Sequence, residues 1–195
     1  MSRTTIIVLV ALGATFAGFA IASSAERLRG TDDSSTPSMP AGQQRAKLDW
    51  REVHGEPGEQ LVFTVDWIEV TEPGWRAAIG IENETSVTWR LAPGAIPDGT
   101  FGLALFETGE LDELDERNRA RTLPAVRSAT SFEPELADEL DPGASWEGVM
   151  SAQGALVAGS WVRVVFGTLI ATGVPPEGYA ETFVWITDSS YELRE

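Results

Sequence analysis

The chain has 195 residues, a formal net charge of −16, no cysteine and a single histidine. The acidic balance, 30 Asp and Glu against 14 Lys and Arg, argues against nucleic acid and against anionic lipid surfaces as partners. With no cysteine there is no disulfide framework, and with one histidine a zinc site has too few ligands, so the core must come from apolar burial.

Thr4 to Ala22 carries no charge and follows Arg3. As a helix it is about 28 Å long, close to the hydrocarbon thickness of a bilayer. It also reads as a signal peptide, with small residues spaced for cleavage at Ala20-Ile21-Ala22 and Ser23-Ser24-Ala25. Residues 1–25 are therefore expected to be a signal peptide or a transmembrane helix. Either one makes the protein extracytoplasmic, membrane-anchored or secreted. Residues 26–47, rich in Ser, Thr, Pro, Gly and Asp, are expected to be a disordered linker. Residues 48–195 are long enough for one domain.

Within that domain, Leu61–Val70 alternates and places Leu61, Phe63, Val65 and Trp67 on one face. After the turn Glu72-Pro73-Gly74, Trp75–Ile81 alternates again. Asn83-Glu84-Thr85 reads as a tight connection into Val87, Trp89 and Leu91, and the pair as an antiparallel hairpin. Phe101–Phe106 is a buried strand, Trp146–Met150 follows the turn Asp141-Pro142-Gly143, and Thr182–Thr187 is the last strand. Trp161–Ile170 is the clearest, with Val162, Val164 and Phe166 facing inward. Seven or eight strands with turns between them predict an all-β antiparallel sandwich. Gly109–Arg121 is expected to be one short helix or an ordered acidic loop, with Glu113–Arg117 and Asp115–Arg119 as i,i+4 partners. Glu133–Glu147 is acidic, with Leu136 and Leu140 at helical spacing.

No residue set specifies a catalytic site, a cofactor or a metal. His54, in the Gly/Pro/Glu-rich stretch Glu52–Pro57, is expected to be a solvated loop histidine. Glu110, Asp112, Glu113, Asp115 and Glu116 are dense oxygen ligands but lack the spacing of a calcium loop, and the arginines that follow favour a salt-bridged helix face. Asn83-Glu84-Thr85 is formally a glycosylation sequon, although its role as a turn suffices to explain it. Trp67 and Trp89 share faces with aliphatic residues and are expected in the core. Trp75, Trp146 and Trp161 lie at strand starts or on outward parity, which makes them candidate partner-binding aromatics.

The run from Ile79 to Thr85 resembles the strand-and-turn opening of many exported bacterial immunoglobulin-like domains. Leu140 to Gly148 is similar to their turn before a later strand, and Gly159 to Gly167 to the strand that follows. The resemblance implies an immunoglobulin-like fold and an extracytoplasmic setting, and carries no catalytic residue. The expected function is a non-catalytic interaction or accessory domain that meets a protein or glycan partner outside the cytoplasm. A carbohydrate-binding module with exposed Trp, or a hydrolase with paired carboxylates, would be the alternatives.

Overall fold

The computed structural model describes residues 39–91 and 101–195. In chain order they form β1 (Gln44–Glu56), β2 (Glu59–Val70), β3 (Gly74–Asn83), β4 (Trp89–Leu91), β5 (Gly102–Phe106), α1 (Leu111–Ala120), β6 (Arg127–Ser128), β7 (Ser131–Glu133), β8 (Glu139–Leu140), β9 (Ser145–Gln153), β10 (Trp161–Ala171), β11 (Thr182–Ile186) and β12 (Tyr191–Glu192). The strands make two antiparallel sheets, a β-sandwich as the alternation predicts. Sheet one runs β1-β2-β3-β9-β7. Sheet two is built on β10, whose first half pairs with β5 and β12 and whose second half pairs with β4 and β11. The expected N-terminal helix lies outside the described residues. Among the described residues, no helix is long and apolar enough to cross a membrane.

The core between the sheets holds Phe63, Ile81, Trp89, Met150, Val164 and Phe166, all buried. Val162, Val164 and Phe166 face inward as the parity of β10 predicts, and Trp89 is fully buried.

Three expectations about sheet one need correction. First, the domain begins before residue 48. Met39 to Gly42 is hydrogen-bonded to Leu156, Ala158 and Arg194, and Gln44 already belongs to β1. The polar alternation of β1 hides it, because an edge strand buries only one side. Its exposed Arg45, Lys47 and Arg51, with a bulge at Asp49 (φ 51°), blunt an edge that would otherwise invite pairing. Second, Trp67 is not a core residue. β2 carries an extra residue, Asp66, between the pairs Val65–Ile79 and Trp67–Ala78. That bulge flips the parity, so Ile68 and Val70 point inward and Trp67 lies half-buried on the outer face. Third, β3 and the Val87–Leu91 run do not form a hairpin. β3 pairs with β2 and β9, whereas β4 crosses to sheet two and pairs with β10 and β8.

The reason for that crossing is the fully buried Asn83. Its side-chain amide donates to the carbonyls of Val87 and Leu140, and its Oδ1 accepts from the Thr85 backbone N–H and hydroxyl. The Thr85 hydroxyl in turn accepts from Trp89 Nε1 at 2.9 Å. The turn role of Asn83 therefore holds, and the side-chain nitrogen that a sugar would need is already engaged.

Leu136 and Leu140 are not on a helix. They are separate core contacts, Leu136 between β7 and β8 and Leu140 on β8. The predicted helix after Gly109 does form, as α1. Its Leu114 packs with Phe106, Val165 and Ile186 on the outer side of sheet two, so that sheet is covered on both faces.

Candidate functional site

The three candidate aromatics are not brought together. Trp75 is 1% exposed and Trp146 7%, both inside the main core, and Trp146 donates its indole N–H to the Glu135 carbonyl. They offer no face for stacking, which corrects the expectation that strand-start tryptophans stand free. They close the space between the sheets because each, second in its strand after Gly74 or Ser145, points into the core. Trp161 is half-buried and packs against the α1 cluster. Its indole lies on Gly109, where a Cβ would collide with the ring. A cleft of about 610 Å³ opens beside Trp75, between Ala152 of sheet one and Leu105 and Arg127 of sheet two.

The polar chemistry of the domain concentrates instead around the turn after β11, a stretch that carries no recognisable motif. Glu52 of β1 accepts from Trp185 Nε1 and the Asp188 N–H, both at 2.9 Å, and from the Ser189 N–H at 2.8 Å. Arg163, fully buried on β10, holds the opposite side of the same turn. Its guanidinium donates to the carbonyls of Thr187 and Asp188, and also to those of Gly109 and Glu110 ahead of α1. A carboxylate thus takes the amides and a guanidinium the carbonyls of one short segment. The fork geometry of arginine suits four backbone acceptors. Burial lowers the Arg163 pKa from its ordinary value, while the fields of Asp188 and Glu52 oppose the shift. The signal for Arg163 was a lone charge inside an apolar strand. It lies on the parity opposite Val162 and Val164, and α1 covers that side.

Around α1, Glu113 accepts from the Thr108 N–H and hydroxyl and from Arg117 Nε, all at 2.8 Å. Burial pushes its carboxyl up, but the bonds from Thr108 and Arg117 outweigh that and hold it below the usual carboxylate range. The expected Glu113–Arg117 pair is present. Arg119 instead donates to the Asp115 backbone carbonyl at 3.2 Å. Among the described residues, no three His, Asp or Glu side chains converge as a metal site.

His54 is the largest departure from expectation. It lies on β1 near the β1–β2 turn and is 6% exposed rather than solvated. The sequence shows Gly and Pro around it, whereas the fold pairs it with Leu61 and sets it beside Tyr179 and Phe183, more than a hundred residues away. The Tyr179 hydroxyl donates to the His54 carbonyl at 2.5 Å, lies 3.2 Å from the Glu59 carbonyl, and accepts from the Leu61 N–H at 3.0 Å. Gly55 (φ 104°) adopts a left-handed conformation directly beneath that hydroxyl, where a side chain would collide with it. Burial pushes the Tyr179 hydroxyl up to about 12, so it stays protonated and can donate.

No protein-family model, curated protein or solved structure matches the chain.

Proposed function

We propose that the protein is an extracytoplasmic, non-catalytic interaction or accessory domain of immunoglobulin-like type. Residues 1–25 export it, or anchor it, and the segment before β1 serves as the tether. One observation carries this reading: buried and half-buried polar side chains bind backbone and fasten connections. Glu52 and Arg163 grip the turn after β11, Asn83 the crossing to β4, and Tyr179 the β1–β2 turn. Such side chains hold loops in place, which suits a surface that must be presented with fixed shape.

The direction of presentation follows from where the chain arrives. Gly42 lies against the C-terminal residues Arg194 and Glu195 at the starts of β1 and β10. The opposite end of the sandwich carries the β1–β2 turn, the β3–β4 and β8–β9 connections, and the stretch 172–181 between β10 and β11. It exposes Glu56, Glu84, Asp141, Glu177 and Glu181, with Val174 89% exposed among them. The partner it suits is a protein with a neutral or basic contact surface.

Export is tested by fusing residues 1–45 to a reporter that is active only outside the cytoplasm. The fusion is expected to be active, and a silent reporter at normal expression overturns the reading. N-terminal sequencing of the mature protein separates cleavage from anchoring.

A further inference from the structure

His54 is enclosed on three sides by rings. It stacks on Phe183 with centroids 4.7 Å apart, meets Tyr179 edge-on at 4.6 Å, and lies 5.4 Å from Trp185. Its Nε2 is buried with no hydrogen-bond partner. Burial pulls its pKa below the ordinary histidine value, and the backbone of Gly178 opposes this in part. The neutral ring fits such a box, since an imidazole without charge packs as an aromatic plate. The protonated ring does not fit, because Nε2 would become a second donor with no acceptor and the charge would be cut off from water.

The charged and titratable groups on the surrounding elements do not rescue that charge. Beside the ring on β1 these are Arg51, Glu52 and Glu56, and on β2 Glu59, while Arg45, Lys47, Asp49, Asp66 and Glu69 lie toward the other end of the two strands; between β10 and β11 they are Glu177, Tyr179 and Glu181. Glu52 is engaged by Trp185, Asp188 and Ser189, and Glu59 by the Ser86 N–H. β11 itself brings only Phe183 and Trp185 to the ring. Among the described residues, no carboxylate forms an ion pair with His54, and none shifts its pKa.

The box is also a fastening. Tyr179 and Gly178 belong to the 172–181 connection, and the Tyr179 hydroxyl is the pin that joins it to β1 and β2. We infer that His54 is an acid-operated latch: uncharged, it keeps the 172–181 connection closed over the β1–β2 turn, and charged, it leaves its box and frees that connection together with Tyr179. The sign follows from linkage. The folded pKa lies below the unfolded value of about 6.5, so closure is complete above that value. It is lost as pH falls from there through the folded pKa, and further acidification changes nothing more at this site. The inference concerns the folded domain alone and holds whether or not the chain is exported.

The test is hydrogen exchange on the full-length protein, with detergent present, near pH 7.5 and near pH 5, corrected for the intrinsic rate. Each unit by which the histidine pKa is displaced corresponds to a tenfold change in the opening equilibrium. In the wild type, peptides covering 54–61 and 172–181 are expected to lose protection about tenfold at the lower pH, while those from β3 and β9 keep theirs. His54→Phe, which fills the box without a titrating group, is expected to stay protected at both. Equal protection of the wild type at both pH values, or the same acid loss in His54→Phe, overturns the latch. Should His54→Phe not fold, the ring of this sole histidine is titrated by NMR in the wild type. A midpoint well below about 6.5 that coincides with the loop opening supports the latch, and a midpoint at or above that value overturns it.

Discussion

Sheet one and sheet two have the same alternating strands but opposite outer faces. Outside sheet one, Trp67 lies half-exposed with the Arg45 guanidinium 4.2 Å from its ring and Arg76 5.9 Å away, and Glu69 joins both arginines. Outside sheet two, Arg163 is fully buried beneath α1 and bonded to four carbonyls. In each case an arginine neighbours an aromatic ring on the outward side of a strand, yet one cluster is a solvated ornament and the other a structural bolt. What separates them is cover. Ten helical residues, with Leu114 buried among them, exclude water from one face, and no helix among the described residues does so on the other. The worth of a polar contact therefore depends on what lies over it.

That contrast is easiest to break at Arg163. Arg163→Met keeps the bulk of the side chain and removes all four donations, so the buried Thr187 carbonyl loses this donor, while Gly109 keeps only the Ser190 hydroxyl. A loss of about 2–3 kcal/mol in urea unfolding is expected, with α1 and the turn after β11 losing exchange protection first. An unchanged midpoint would mean that those carbonyls find water instead, and that the two faces are not so different. Glu113→Gln probes the rim of the same cover. The amide keeps one acceptor but loses the charge that draws Arg117 and the Thr108 donors, and a cost of about 1 kcal/mol is expected. The wild-type carboxyl titrates lower in the folded chain than in the unfolded one. Its contribution is therefore fully present above the usual carboxylate value and is lost as pH falls through the folded one. Stability measured from neutral pH into that range should fall less steeply in Glu113→Gln than in the wild type. On the uncovered face, Trp67→Ala removes a ring whose arginine contacts are open to water. A change within about 1 kcal/mol is expected. A larger loss would show that the outer face of sheet one is as structural as that of sheet two.

Several elements were legible because they depend on local pattern. β10 announces itself through Val162, Val164 and Phe166, and α1 through its charges and leucines, with the Glu113–Arg117 pair in place. Others were hidden for specific reasons. The extra residue Asp66 inverts the second half of β2, and a one-residue slip cannot be read from alternation that still looks regular. β4 left sheet one because Asn83 binds Leu140, a partner 57 residues on. The candidate site fared worse than the fold. Trp75 and Trp146 looked free because each follows a turn, but the opposing sheet buries both. Glu52, Arg163 and Tyr179 belong to no motif, since each acts on backbone carbonyls and amides that have no sequence signature.

The sequence by itself determined that the domain is built of antiparallel strands, that the stretch after Gly109 has helix-forming composition, and that its core rests on aromatics without disulfides. Those properties come from periodicity and composition, which short segments carry on their own. Tertiary structure alone decided the rest. It chose which sheet each strand joined, which outward face was covered, and which of the polar residues left water. His54 is the sharpest instance. Among Gly, Pro and Glu it reads as solvated, and only the arrival of Tyr179, Phe183 and Trp185 from the far end of the chain removes its water. Burial is a property of what comes to lie against a residue, and neighbours in sequence do not set it.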